Sequence, residues 1–312
     1  MSGKQPIEHI PLVKPVPSLL TSAFPLSDQV NWRSGIAWTP LCGHASHAWA
    51  RCPGGDALKE EAVTMTAPVG TDPFTIYTPI KCEWVTTEGG DKLTAMATDL
   101  TEVHTAAQIA AALWMGTGLT NDADTTYGAP PTLRRVATDV SIGGVGAGAA
   151  ALDDVVAALL HAYTNCTGGM GGAVLHVPDI LIPSALGGGD GGARVAWPEG
   201  DVYRGPLGSL VSPGPGYPHD SSSQGANGYG PLSSAGPPEV YRGNGYNEVW
   251  VYVSGPVEYA VTPIEPPNTD EERRTPFRMN TYEVIAERQA IVRFDPCCVF
   301  AARAVNAAGE VS

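Results

Sequence analysis

Apolar residues recur at three- and four-residue spacing in two stretches of the chain, and each predicts a helix. In the first, roughly 91 to 115, Leu93, Met96, Leu100, Val103, Ala107, Ala110 and Trp114 fall on one face, and Gly116 and Gly118 end the run. In the second, Leu152, Val155, Val156, Leu159, Leu160 and Tyr163 line one face, with Asp153 near the start. The turn Thr167 to Gly172 (TGGMGG) closes that helix, and Ala173 to Val177 (AVLHV) then reads as a buried strand. Other runs rich in aromatic and β-branched residues predict strands: Trp32 to Pro40, Pro73 to Val85, Glu248 to Val261 and Tyr282 to Val305. Asp295-Pro296 marks a bulge or turn inside the last.

Between these elements the chain is turn-rich. Prolines at 6, 11, 15, 17 and 25 hold the first segment extended, as an arm that needs other chains to lie on. Residues 41 to 72 read as a loop or long β-excursion, and 187 to 247 as an ordered loop with short strands, because valines, leucines and tyrosines interrupt its Gly, Pro and Ser. No internal repeat recurs at a fixed period.

Composition narrows the class. The 312 residues are 43% hydrophobic, enough to bury a core, and only 16% charged, while 37 glycines and 28 prolines favour a loop-rich, β-containing protein over a helical bundle. The formal net charge of -14 excludes a protein that grips nucleic acid through phosphates, although not one that merely encloses it. The N-terminal MSGKQPIEHIPLVKPVP has no apolar core segment, which predicts no signal peptide, and no run approaches the roughly 18 apolar residues of a membrane helix. Six cysteines in a chain this long do not predict a disulfide scaffold.

Candidate chemistry is sparse. Cys42, His44, His47 and Cys52 gather in LCGHASHAWARCPGG and are ligand types for zinc. All four lie within eleven residues, a spacing that matches none of the standard zinc patterns, so the reading favours a loop over a metal centre. Gly144-x-Gly146-x-x-Ala149 imitates a dinucleotide fingerprint but lacks a good strand before it and a ribose-binding acid after it. Cys166, His161 and His176 offer a thiol-and-base combination, but His176 sits among apolar neighbours, as a satisfied core histidine does. Adjacent Cys297 and Cys298, placed in a strand, are expected to point to opposite faces. No catalytic residues and no cofactor are expected.

Several segments, in order, resemble the major capsid proteins of tailed phages with the Hong Kong 97 type of fold. LWMGTG (113 to 118) is similar to the helix end and glycine turn of that family's peripheral domain, and ALDDVVAALLHAYTNCTGGMGGAVLHVPDI (151 to 180) to its axial-domain element of helix, turn and buried strand. GPLGSLVSPGPGYP (205 to 218) resembles the strand and turn leading into the axial loop, and EVWVYVSGPVEY (248 to 259) the strand returning from it. AERQAIVRFDPCCVFAARAV (286 to 305) is similar to the terminal strands.

The resemblance implies an α+β phage major capsid fold with an axial domain, a peripheral domain, an extended N-terminal arm and a β-hairpin loop. It implies an arm and extended loop over 1–90, peripheral-domain-like helix and turns over 91–150, an axial-domain-like region over 151–261 and C-terminal strands completing the sheet over 262–312. The implied protein is not an enzyme. It self-assembles into hexamers and pentamers, closes an icosahedral shell around double-stranded DNA without binding it specifically, and has decoration, scaffolding and portal proteins as partners. It contacts no membrane, assembles in the host cytoplasm and ends in the virion. The competing readings are a tail or decoration protein and, further off, a hydrolase dependent on the metal or thiols of the Cys42 segment.

Overall fold

The computed structural model describes residues 18–27, 31–40, 68–83, 87–116, 130–141, 149–169, 171–187, 194–214, 248–265 and 281–305. The elements begin with α1 (Leu19–Ser22), β1 (Phe24–Pro25), β2 (Ile36–Trp38), β3 (Val69–Thr71), β4 (Phe74–Glu83) and the long α2 (Thr87–Met115). Next come α3 (Leu133–Val136), β5 (Thr138–Asp139), α4 (Leu152–Thr167), β6 (Val174–Pro178) and α5 (Ile182–Gly187). The chain continues with β7 (Trp197–Glu199), β8 (Val202–Arg204), β9 (Leu210–Gly214), β10 (Glu248–Ser254), β11 (Val257–Val261), β12 (Thr281–Phe294) and β13 (Phe300–Val305). No helix among the described residues is long and apolar enough to cross a membrane.

Three sheets result. The largest runs β5-β13-β10-β6-β9-β8-β7, the second β1-β11-β12-β4, and the third pairs β2 with β3. The two strand runs at the chain's end, the first expected to be continuous and the second to carry a bulge or turn at Asp295-Pro296, divide between the first two sheets. Gly255-Pro256 separates β10 from β11, because proline cannot extend the ladder, and residues 295–299 turn the chain from β12 into β13.

The central strands of the seven-stranded sheet are buried on both faces, which explains why they are almost entirely apolar, whereas β7 at its edge is exposed. In β10, Val249, Val251 and Val253 face α4 and α5, while Tyr252 faces α1, α3 and the C-terminal turns of α2. All six residues expected on the apolar face of α4 pack into the first of these cores. Ala302 and Ala304 of β13 pack into it too, and their small side chains let the helix lie close. Asp153 and Asp154 occupy the first turn of α4, where the partial positive charge of exposed N–H groups favours them. Gly168 ends the helix at φ 64, a left-handed conformation that glycine adopts without steric cost.

Helix α2 spans 29 residues, about 43 Å, and starts earlier than the periodicity predicts. Its buried stripe is only partly the expected one: of the predicted face, Ala110 and Trp114 are fully buried. Ala97, Thr101, Thr105, Ile109 and Leu113 are buried, whereas Leu93, Met96, Leu100, Val103 and Ala107 are half-buried. The reason is close approach to β4 and β12. Thr101 Oγ1 is 2.9 Å from Thr78 Oγ1, 2.9 Å from the Ala97 carbonyl and 3.3 Å from the Ala286 carbonyl, a contact that long side chains would prevent.

Further along, Arg288 of β12 reaches back to α2. Its guanidinium donates to Glu102 at 2.6 Å and to the Thr262 carbonyl at 2.9 and 2.6 Å, so a buried cation is met by oxygens on two sides. Arg293 and Glu258 pair similarly across β12 and β11, in directly opposed register.

Candidate functional site

The groups with chemical potential in the described part converge where the two large sheets meet. Helix α4 brings Tyr163 and Cys166 there, three residues apart and so on one helix face. The turn between β12 and β13 supplies Asp295, Cys297 and Cys298. Asp295 Oδ1 accepts the Cys297 backbone N–H at 3.0 Å, an Asx turn that shapes the link. Cys166 and Cys298 form a disulfide whose Cα atoms are 5.8 Å apart, and Cys297 is disulfide-bonded as well.

This corrects two expectations. Cys297 and Cys298 lie in a turn, not a strand, and cysteines of a chain with no scaffold-like spacing are cross-linked. The second difference arises because the fold brings together residues 132 apart in sequence, which no local pattern records.

The second link, Gly255-Pro256, passes beside the same helix. A side chain on Gly255 would have its Cβ 3.5 Å from Tyr163 Oη, and one on Gly172 would meet Pro256 at 3.4 Å. Burial, and next the negative charge of Asp295, raise the Tyr163 phenol above its ordinary pKa, so it stays neutral.

His176 of β6 lies one strand away and is fully buried. Its Nε2 is 2.8 Å from Ser254 Oγ, and that hydroxyl donates to the Gly255 carbonyl at 2.8 Å. With the serine proton committed to a carbonyl, the serine oxygen accepts, which puts the imidazole proton on Nε2. Burial lowers the histidine to about 3, so it is neutral and fixed, as a core residue is.

The thiol-and-base combination therefore does not assemble. Cys166 is in a disulfide, His161 is exposed and paired with Asn165 at 3.0 Å, and His176 is engaged with Ser254. Cys42, His44, His47 and Cys52 lie outside the described residues, as do Gly144 and Gly146. Among the described residues no group of three or more His, Cys, Asp or Glu side chains is arranged to hold a metal.

One feature lies apart from the junction and escaped sequence reading. In the turn Gly205 to Ser209, Leu207 has φ 56 and is 82% exposed. A branched side chain in left-handed backbone costs about 1 to 2 kcal/mol, and burial within the chain recovers none of it here. Trp197 is also exposed and lies opposite Arg204, the residue that leads into this turn. The only sequence signal was Pro-x-Gly, which predicts a turn but not which residue takes positive φ.

No protein-family model matches the chain. No curated protein matches it either. Solved structures do. A chain from Gordonia phage Cozz is similar at 11% identity and a TM-score of 0.53, over 96% of this chain and 91% of that one. A chain from the capsid of an empty GTA particle is similar at 14% identity and 0.52, over 96% and 99%. One from Mycobacterium phage Ogopogo reaches 15% identity and 0.51, over 96% of both chains. The chain has the tailed-phage major capsid fold, of the α+β class.

Proposed function

We propose that this chain is the shell subunit of a tailed phage, associating into hexamers and pentamers that close an icosahedral capsid around double-stranded DNA. The observation that carries the reading is end-to-end likeness to the capsid chain of the GTA particle, 96% of one and 99% of the other. So complete a match leaves little of either chain for a separate, unrelated module.

Physical features support it. The net charge of -14 suits a wall that encloses DNA without trapping it, because phosphate contacts scale with Lys and Arg. Shell cohesion then comes from apolar surface buried between copies, at about 25 cal/mol per Å². The subunit is structural and not catalytic, it is assembled in the host cytoplasm, and it resides in the virion. Its partners are further copies of itself and the scaffolding, portal or decoration proteins of the same particle.

Electron microscopy of the purified, concentrated protein is the test. Capsomers or shells are expected, and a compact monomer at every concentration overturns the proposal.

Leu207 gives a residue-level version. Asn tolerates positive φ, so Leu207→Asn is expected to leave the denaturation midpoint of the unassembled chain unchanged or to stabilise it by up to about 1 kcal/mol. It is expected to reduce the yield of assembled particles several-fold, because it removes the exposed apolar side chain that neighbouring copies would cover. Unchanged yield would remove Leu207 from the interface.

For the segment carrying Cys42, His44, His47 and Cys52 the proposal is that no metal binds. Elemental analysis is expected to find no stoichiometric zinc in the purified protein or in the His44→Ala/His47→Ala variant. One zinc per chain, lost in that variant, would restore the metal reading.

A further inference from the structure

The links between the two large sheets run side by side, one through Gly255-Pro256 and one through residues 295–299. The first carries a glycine and a proline. In the second, Asp295 turns the backbone so that Cys297 and Cys298 leave the ladder. Relative movement of the two sheets has to be absorbed by these few residues, because the strands on either side are hydrogen-bonded into different sheets. The Cys166–Cys298 bond ties the last turn of α4 to one of these links. Helix α4 is itself packed on the seven-stranded sheet through Leu152, Val155, Val156, Leu159 and Leu160. The cross-link therefore ties the outgoing link to a rigid body belonging to only one of the sheets.

We propose that the Cys166–Cys298 pair is a redox lock on this junction, open as the dithiol and closed as the disulfide. Closing needs an oxidant, for which a low-molecular-weight disulfide suffices. One protein thiolate attacks that disulfide, forming a mixed disulfide and releasing one small thiol. The second protein thiolate then displaces the other small thiol, so two electrons pass to the small disulfide and one protein S–S bond forms. A dithiol reductant reverses both steps. In the dithiol state the turn at 295–299 keeps the Asp295 hydrogen bond, the Thr138 N–H bond to the Val299 carbonyl and its packing, but loses its covalent tie to α4, and the sheets can shift. In the disulfide state the link moves only with α4. The consequence for a particle, assembly from adjustable subunits followed by setting on exposure to oxidant, rests on the capsid reading; the lock itself does not.

Hydrogen exchange on the full, unassembled chain tests it, with disulfides mapped by peptide mass spectrometry without reduction. In oxidised wild-type protein the Cys166–Cys298 peptide pair is expected, with amides of Gly255, Val257, Asp295 and residues 297–299 protected. Treatment with a dithiol is expected to speed exchange in those segments at least tenfold while β6 and β10 stay protected. The Cys166→Ser/Cys298→Ser variant should match reduced wild type with or without the dithiol. Equal junction exchange in oxidised and reduced wild type, or absence of the peptide pair after oxidation, overturns the lock. A reductant response that survives in the double variant overturns it too, since the disulfide of Cys297 would then carry the effect. Should that variant fail to fold, Cys166→Ala/Cys298→Ala takes its place, since it too removes this bond and leaves the disulfide of Cys297 intact, and the same outcomes decide. Failure to assemble, by contrast, would leave the junction results standing and count against only the shell reading.

Discussion

Trp114→Ala is expected to destabilise the chain by about 3 to 5 kcal/mol, a large part of the 5 to 15 kcal/mol typical of a native domain. Trp114 is fully buried at the end of α2, with its ring edge-on to Tyr252 at 4.4 Å between centroids. Tyr252 lies at the centre of the seven-stranded sheet, whereas most of α2 lies on β4 and β12 of the other. The indole thus pins the long helix of one layer to the sheet of the next. Truncation removes the transfer energy of a large side chain and leaves a cavity between elements too rigid to collapse into it. Trp114→Phe should recover more than half of the loss, because it keeps an aromatic edge against Tyr252. Chemical denaturation of the unassembled chain measures both. A loss under about 1 kcal/mol for the alanine variant would mean that the helix end is not anchored as described.

Acid should weaken the fold through His176. In the unfolded chain this imidazole titrates near 6.5, and in the fold burial lowers it to about 3. Below 6.5 the unfolded state binds a proton that the folded state refuses. The contribution is therefore complete above pH 6.5 and is lost as pH falls toward 3, at about 1.4 kcal/mol per pH unit. Between pH 7 and 4.5 the loss is roughly 2.5 kcal/mol. Below about 3 both states are protonated and this source of loss ends. His176→Gln keeps a donor for Ser254 Oγ and cannot titrate. Carboxylates contribute their own pH dependence to both proteins, so the informative quantity is wild type minus variant. That difference is expected to change by roughly 2.5 kcal/mol over the range, read from denaturant midpoints at each pH. A flat difference would show that His176 accepts a proton within the fold.

Some of these features were visible in the pattern of residues. Helix α4 was legible in full, face and ends included, because it is an amphipathic helix on one broad sheet and its leucines and valines do the packing. Helix α2 was legible as an element but only in part as a surface. Leu93, Met96, Leu100 and Val103 are half-buried and the close contact there is made by Ala97, Thr101 and Thr105, whereas Ala110 and Trp114 near its end are buried as their spacing predicts. Periodicity weighs side chains by hydrophobicity, whereas a helix lying close along strands selects for small size. The strand runs 248–261 and 282–305 were legible as β-structure, and Asp295-Pro296 marked the break in the second, whereas the break of the first at Gly255-Pro256 was not read. That the two halves of each run join different sheets was not, since a breaker says that the ladder stops and not where the next strand goes.

The junction shows the same division. His176 was read as a core histidine from its apolar neighbours, which suffices because burial in an all-apolar strand is a local property. Its partner Ser254, 78 residues away, needed the register of β6 against β10. The pairing of Cys166 with Cys298 needed more, namely the packing of α4 beside a turn that connects two sheets. By itself, then, the amino-acid order determined which segments become helix and strand, the acidic balance, and the resemblance to a capsid fold, since these follow from patterns a few residues long. Which small residues bear the contact along α2, which strands share a sheet, and which thiols meet were decided only in the tertiary structure. Each depends on distances between segments far apart in the chain, and those are set by how whole layers pack.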